Sequence, residues 1–80
     1  MYYVYMVKCS DNTIYTGYTN DLEKRVSTHN KGVGAKYTRG RTPVELCYFE
    51  EYENKIEAQN RERSIKKLNR KKKLELIGME

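Results

Sequence analysis

The sequence predicts an α+β domain: a small three-stranded antiparallel sheet flanked by helices, in the order β-β-α-β-α-α. Three short segments rich in aromatic and β-branched residues indicate the strands. Two Asn-x-x-Glu sequences, each followed by apolar residues at helical spacing, indicate helix starts. Strands and helices in this order pack as a sheet with helices against it.

The first two strands are predicted over residues 2–9 and 13–17, and the third over residues 44–49. Residues 10–12, Ser-Asp-Asn, are common in turns, so the first two strands should form a hairpin. Alternation along the first strand puts its side chains on two faces: Tyr3, Tyr5, Val7 and Cys9 on one, Val4 and Met6 on the other.

The first helix is predicted to begin near Asp21, with Asn20 and Glu23 as a capping pair, and to stop near Gly32. Successive residues of a helix are about 100° apart, which places Leu22 and Val26 in one buried apolar stripe. Arg25 and His29 lie at the border of this stripe. Residues 31–43 then form a long basic loop.

The second helix is predicted to start at Asn54 and to run to about Leu68. Its apolar stripe is weak and interrupted by Arg61: Ala58, Ile65 and Leu68. A short final helix should begin at Asn69 or Arg70, with Leu74 and Ile77 on one side.

Composition indicates one domain over residues 1–80 with a preference for polyanions. The chain has 80 residues, 34% of them charged, and a net charge of +5. Eight basic residues cluster near the end: Arg61, Arg63, Lys66, Lys67, Arg70, Lys71, Lys72 and Lys73. Such a cluster favours phosphate binding through counterion release. A solvated helix face explains the same cluster equally well.

Cys9 and Cys47 lack the spacing of a metal site or a redox pair, so both are expected to be free thiols. Nothing resembles a signal peptide, and no apolar stretch approaches the ~20 residues that cross a bilayer. The expectation is a cytoplasmic protein with no membrane partner.

Two tripeptides on the predicted hairpin resemble a known sequence motif. Tyr3-Val4-Tyr5 and Tyr15-Thr16-Gly17 resemble the GIY…YIG motif pair of a nuclease superfamily, with Tyr3, Val4 and Thr16 as strand-compatible departures. Further positions match in order: Arg25, His29 and Glu57. Residues 34–43 resemble one subgroup, the small stand-alone bacterial GIY-YIG proteins of uncertain function. The resemblance covers essentially the whole chain.

The resemblance implies hydrolysis of a phosphodiester bond in DNA, in repair or processing, with one divalent ion, Mg²⁺ or Mn²⁺. Glu57 would hold the metal, Tyr5 would deprotonate water, and Arg25 would neutralise the transition state. Tyr15 and His29 would orient the water or relay its proton, and Gly17 would allow close approach. Asn69 is a weaker candidate for the late Asn of the family.

Nucleic acid, DNA in the first instance, is the expected partner. The residues expected to contact it combine cations with one aromatic: Lys36, Tyr37, Arg39, Arg41, Arg63, Lys66, Lys67 and Arg70. With no appended recognition domain, a protein partner could supply specificity.

Alternatives stay open for each site residue. The tyrosines could be cross-strand packing, and Arg25 with His29 could be a solvent-edge pair. Glu57 could close a capping box or pair with Arg61, and Asn69 could be a helix cap. The alternatives for the whole chain are a non-catalytic nucleic-acid-binding module on the same fold and, third, a protein-interaction domain that uses exposed tyrosines.

Overall fold

The computed structural model describes residues 1–78 and has the predicted α+β fold and element order. The strands are β1 (Tyr2–Lys8), β2 (Ile14–Thr19) and β3 (Glu45–Tyr52). The helices are α1 (Leu22–Asn30), α2 (Lys55–Lys66) and α3 (Arg70–Ile77), and a short 3-10 helix (Lys36–Thr38) lies in the long loop. The sheet is antiparallel with the order β2-β1-β3, so β1 is the central strand.

The two faces of the sheet carry two cores, which confirms the alternation predicted for β1. On one face Val4, Met6 and Ile14 pack against Ala58 and Ile65 of α2, with α3 alongside. On the other face, buried residues and partly buried side chains of β2 and α1 form a second cluster: Tyr5, Val7, Cys9 and Val44, with Tyr15, Leu22 and Val26. The site residues of β1 therefore lie on the α1 face.

Element ends differ from the prediction where strand pairing continues past the apolar pattern. β2 runs on to Thr19, which pairs with Tyr3, and β3 runs on to Tyr52, which pairs with Tyr2. The 3-10 helix was not predicted, because residues 31–43 carry basic residues and glycines instead of a periodic apolar pattern.

Each helix begins at a polar cap. The predicted cap of α1, Asn20, is wrong by one residue: Asp21 accepts the backbone N–H of Lys24 at 3.1 Å, while Thr19 holds the backbone N–H of Asp21. The other two starts are as predicted. Asn54 caps α2 and Asn69 caps α3 through their side-chain oxygens.

Arg61 interrupts the apolar stripe of α2 because it binds the sheet. Its guanidinium donates to both carboxylate oxygens of Glu50 on β3, at 2.9 and 3.1 Å, and the hydroxyls of Tyr48 and Tyr52 donate to the same carboxylate. Burial alone would raise the pKa of Glu50, but these four hydrogen bonds outweigh it and lower that pKa to about 2. The cluster ties α2 to β3, and Arg61 pairs with Glu50 instead of Glu57.

Both cysteines are free thiols, Cys9 buried and Cys47 half-buried. Among residues 1–78, no helix has the length and apolar character that a membrane span requires.

Candidate active site

The hydroxyl of Tyr5 is the centre of the site, and Gly17 lets it reach there. Tyr5 is fully buried on the central strand and pairs directly with Gly17 on β2. A Cβ atom on Gly17 would overlap the phenol ring of Tyr5, so the ring lies across the glycine. The hydroxyl is thereby carried over β2, an edge strand of the sheet.

Helix α1 supplies both partners of this hydroxyl. The oxygen lies 2.8 Å from Nε2 of His29 and accepts a hydrogen bond from Nε of Arg25 at 3.3 Å. The two residues are one helical turn apart, and His29 is fully buried. The predicted trio of Tyr5, Arg25 and His29 is therefore brought into direct contact.

The second nitrogen of His29 fixes the tautomer of the ring. Nδ1 lies 2.7 Å from the hydroxyl of Thr38, and that hydroxyl donates its only hydrogen to the carbonyl of Ala35 at 2.9 Å. Thr38 must then accept from Nδ1–H, which leaves Nε2 without a proton. The hydrogen-bond network thus assigns Tyr5 as the donor to Nε2.

The long loop packs against His29. Thr38 is fully buried, although it lies in a basic loop. A Cβ atom on Gly34 would lie 2.5 Å from Nδ1 and 2.8 Å from Cα of His29. The loop backbone therefore approaches the ring as closely as only glycine permits.

Burial and charge keep the pair neutral at rest. Burial is the largest effect on Tyr5 and raises its pKa to about 12; the hydrogen bond and charge of Arg25 oppose it, while Tyr15 and Glu62 add to it. Burial, followed by the charge of Arg25, lowers the pKa of His29. At pH 7 the site therefore holds a neutral phenol, a neutral imidazole and a cationic guanidinium.

Tyr15 lies beside the pair and connects it to the loop. Its ring centroid is 6.4 Å from that of Tyr5 and 5.4 Å from that of His29. On its other side it stacks on Tyr37 at 5.6 Å. Cross-strand packing and a site role are thus compatible for Tyr15.

Glu62 is the acidic residue that the sequence reasoning missed. It lies four residues after Ala58 and three before Ile65, both fully buried, so it borders the buried face of α2. Its carboxylate is 3.4 Å from Nζ of Lys66, which lies 5.9 Å from the Tyr15 ring centroid. The charge of Glu62 also raises the pKa of Tyr5. Both observations indicate that Glu62 lies on the flank of α2 that faces the site. Its spacing from the apolar stripe could have identified it.

Glu57 lies elsewhere on the same helix. It is exposed in the first turn of α2, where its backbone N–H binds the cap residue Asn54. At about 100° per residue it is roughly 140° around the helix from Glu62. Within residues 1–78, no group of three His, Cys, Asp or Glu residues could hold a metal ion. Asn69 serves as the α3 cap.

The expected nucleic-acid residues divide into two sets. Four contact the hairpin or the site: Tyr37 on Tyr15, Arg41 on Asp11, Lys66 on Glu62, and Arg70 through the carbonyl of Asn12 at 2.8 Å. Four are exposed on the loop and on the α2 surface: Lys36, Arg39, Arg63 and Lys67.

The fold and this site define a GIY-YIG catalytic domain, and the chain belongs to that family: its model matches residues 1–75. The chain is 65% identical to a UPF0213 protein of Clostridium perfringens, over 98% of this chain and 84% of the relative. It is 57% identical to a UPF0213 protein of Staphylococcus aureus, over 95% and 93%.

Two solved structures have the same fold. The solution NMR structure of a UPF0213 protein from Bacillus halodurans matches with a TM-score of 0.64 at 43% identity, over 100% of this chain and 86% of that one. A protein from E. faecalis, also solved by NMR, matches with a TM-score of 0.65 at 40% identity, over 96% and 82%. The resemblance to small stand-alone GIY-YIG proteins is confirmed.

Proposed function

We propose that this protein is a metal-dependent nuclease that hydrolyses phosphodiester bonds in DNA, in repair or processing. The observation that carries the proposal is the Tyr5 hydroxyl, held between an unprotonated histidine nitrogen and a guanidinium. This arrangement can accept a proton from water and pass its own proton inward. The expected cytoplasmic location and a protein partner for target choice belong to the same proposal.

The proton would move in two linked transfers. Water gives a proton to the Tyr5 oxygen as Tyr5 gives its proton to Nε2 of His29, and the resulting hydroxide attacks phosphorus. The new phosphorus–oxygen bond replaces one ester bond of the backbone, and the displaced oxygen takes up a proton from solvent. The histidine becomes an imidazolium whose Nδ1–H stays bound to Thr38. Because burial raises the pKa of Tyr5 to about 12, a phenol without the histidine would be a poor base at neutral pH.

Arg25 would stabilise negative charge at two places in the reaction. Its Nε–H stabilises negative charge that develops on the Tyr5 oxygen during transfer. The same cation, half-buried at the border of α1, can neutralise the phosphoryl group in the transition state. Tyr15, in contact with both rings, would orient the attacking water.

Glu62 is the residue we assign to the metal, in place of Glu57. Mg²⁺ keeps several waters and typically takes one or two carboxylates plus substrate phosphates, so a single carboxylate on the site-facing flank of α2 fits it. The charge of Glu62 acts on Tyr5, whereas Glu57 is exposed on another flank of the helix. A metal bound there would polarise a phosphoryl oxygen and steady the leaving oxygen.

A second candidate function is a binding module without catalysis. It is favoured by the net charge of +5 and by the exposed cations of the long loop and of the α2 surface. Such a protein would bind DNA with a steep salt dependence and leave it intact.

A cleavage assay separates the two functions. Labelled single-stranded, duplex and branched DNA would be incubated with Mg²⁺ or Mn²⁺, with EDTA as the metal-free control. We expect wild type to cut at least one substrate, and Tyr5→Phe to lose cutting while it remains folded. Cutting that persists in EDTA or in Tyr5→Phe contradicts the proposal, and salt-dependent binding without cutting supports the binding module.

A further inference from the structure

A column of three planar groups leads outward from the site. The Tyr37 ring stacks on Tyr15 at 5.6 Å with an interplanar angle of 28°, and the guanidinium carbon of Arg41 lies 4.4 Å from the Tyr37 ring centroid. Tyr15 in turn lies 5.4 Å from His29. The column therefore begins at the catalytic rings and ends at a guanidinium.

The outer end of the column is held in a fixed orientation. Nη1 of Arg41 donates to Asp11 at 3.0 Å and to Thr13 at 3.3 Å. Asp11 is itself held by the backbone N–H and the hydroxyl of Thr13, at 3.1 and 2.6 Å. Exposed ion pairs contribute little to stability, so this arrangement matters more for orienting the guanidinium plane than for holding the fold. The Arg41 side chain is still 37% exposed.

A basic cleft adjoins the column. About 270 Å³ in volume, it is lined by Thr13, Ile14, Tyr37, Arg70 and Lys73. Arg70 is anchored to the hairpin through the carbonyl of Asn12. Two cations thus line a cleft together with an exposed tyrosine, which suits the phosphates of a strand whose base stacks nearby.

We infer that the Tyr37–Arg41 platform stacks one unpaired base next to the scissile phosphate, with Arg70 and Lys73 on the adjoining phosphates. Guanidinium planes and aromatic rings are the usual stacking surfaces for bases that have left a helix. In a duplex both faces of each base are covered by its neighbours, so only an unpaired base can use the platform. The substrate class is therefore nucleic acid with unpaired nucleotides at the site.

This inference rests on the proposed function only in that the site acts on nucleic acid. The test measures binding in EDTA, so it does not depend on cleavage. The protein would be titrated into a labelled single-stranded oligonucleotide and, separately, into the duplex that the same strand forms with its complement. An oligonucleotide carrying 2-aminopurine would report stacking by quenching of its fluorescence.

Arg41→Lys is the decisive variant because it keeps the charge and removes the plane. We expect it to weaken single-strand binding at least about fivefold, since stacking one base is worth about 5- to 150-fold in affinity. Duplex binding and the salt slope should stay unchanged, and 2-aminopurine quenching should be lost. Tyr37→Leu should have the same effects. As a control, Lys55→Arg, a charge-conserving change at an exposed position at the start of α2, should bind as wild type.

Two results would overturn the inference. If Arg41→Lys weakened binding to the single strand and to the duplex equally, at an unchanged melting temperature, Arg41 would be a general phosphate contact. Undiminished 2-aminopurine quenching in both Arg41→Lys and Tyr37→Leu would rule out the platform. If the binding results are as expected but no DNA is cut, the nuclease proposal is refuted and the stacking inference stands.

Discussion

The hydroxyl of Thr38 accepts a hydrogen bond from Nδ1 of His29 at 2.7 Å, joining the long loop to the core helix of the site. Because this hydroxyl donates to Ala35, it can accept only, and the histidine presents a bare Nε2 to Tyr5. A residue without chemistry of its own therefore sets the direction of proton movement in the site.

Thr38→Val keeps the shape of the side chain and removes this acceptor. We expect the rate of DNA cleavage to fall about 10- to 100-fold, the range typical for residues that orient a functional histidine. Stability should fall by about 1–3 kcal/mol, since buried Nδ1–H loses its partner. Single-turnover cleavage and urea unfolding measure the two effects. Thr38→Ser should restore the rate, and a Thr38→Val protein as fast as wild type would contradict the tautomer assignment.

Gly17→Ala tests the path of the Tyr5 ring across β2. The added methyl group overlaps the phenol, so we expect a loss of about 1–3 kcal/mol in unfolding free energy together with loss of cleavage. In a Tyr5→Leu background the same substitution should cost less, because the overlapping ring is gone. Equal costs in both backgrounds, measured by urea unfolding, would show that the ring does not cross the glycine.

Glu50 makes the free energy of unfolding depend on pH in the acid range. Its folded-state pKa of about 2 lies below the ordinary value of 4.5, so its contribution is complete above about pH 4.5 and is lost as the pH falls towards 2. We expect about 1–3 kcal/mol of stability to disappear over this window. Glu50→Gln should be less stable at pH 7 and should show a flatter acid limb. An unchanged limb in that variant would assign the pH dependence to other carboxylates.

His29 sets the acid limit of catalysis. Burial and the charge of Arg25 lower its pKa from 6.5, so the imidazole stays neutral, and able to accept a proton, below that pH. We expect kcat/KM for cleavage to be flat near neutrality and to fall with the loss of one proton-accepting group at a midpoint below 6.5. His29→Gln should remove this limb together with most of the rate. A midpoint above 6.5 would mean that His29 is not the group that titrates.

The grouping of Tyr5 with Arg25 and His29 was implied by the family resemblance. Local pattern was enough to predict the sheet, the two faces of β1 and the positions of Arg25 and His29 beside the apolar stripe of α1. These features depend on alternation and helical spacing, which a sequence displays directly. The roles of Thr38 and Glu62 depend on how the long loop and α2 pack against the site. Thr38 lies among basic loop residues and Glu62 among the cations of α2, so their neighbours along the chain conceal them. Arg61 looked like a break in a weak stripe because its partner, Glu50, is eleven residues away in sequence.

The most direct test of the proposed metal site compares two glutamates of α2 in one cleavage assay. Glu62→Gln and Glu57→Gln remove the same charge from α2, and Mn²⁺-dependent cutting of the best DNA substrate is measured for both. We expect Glu62→Gln to lose about 100-fold or more in rate, while Glu57→Gln cuts as wild type. Loss of cutting in Glu57→Gln with full activity in Glu62→Gln would contradict the site described above and return the metal to Glu57.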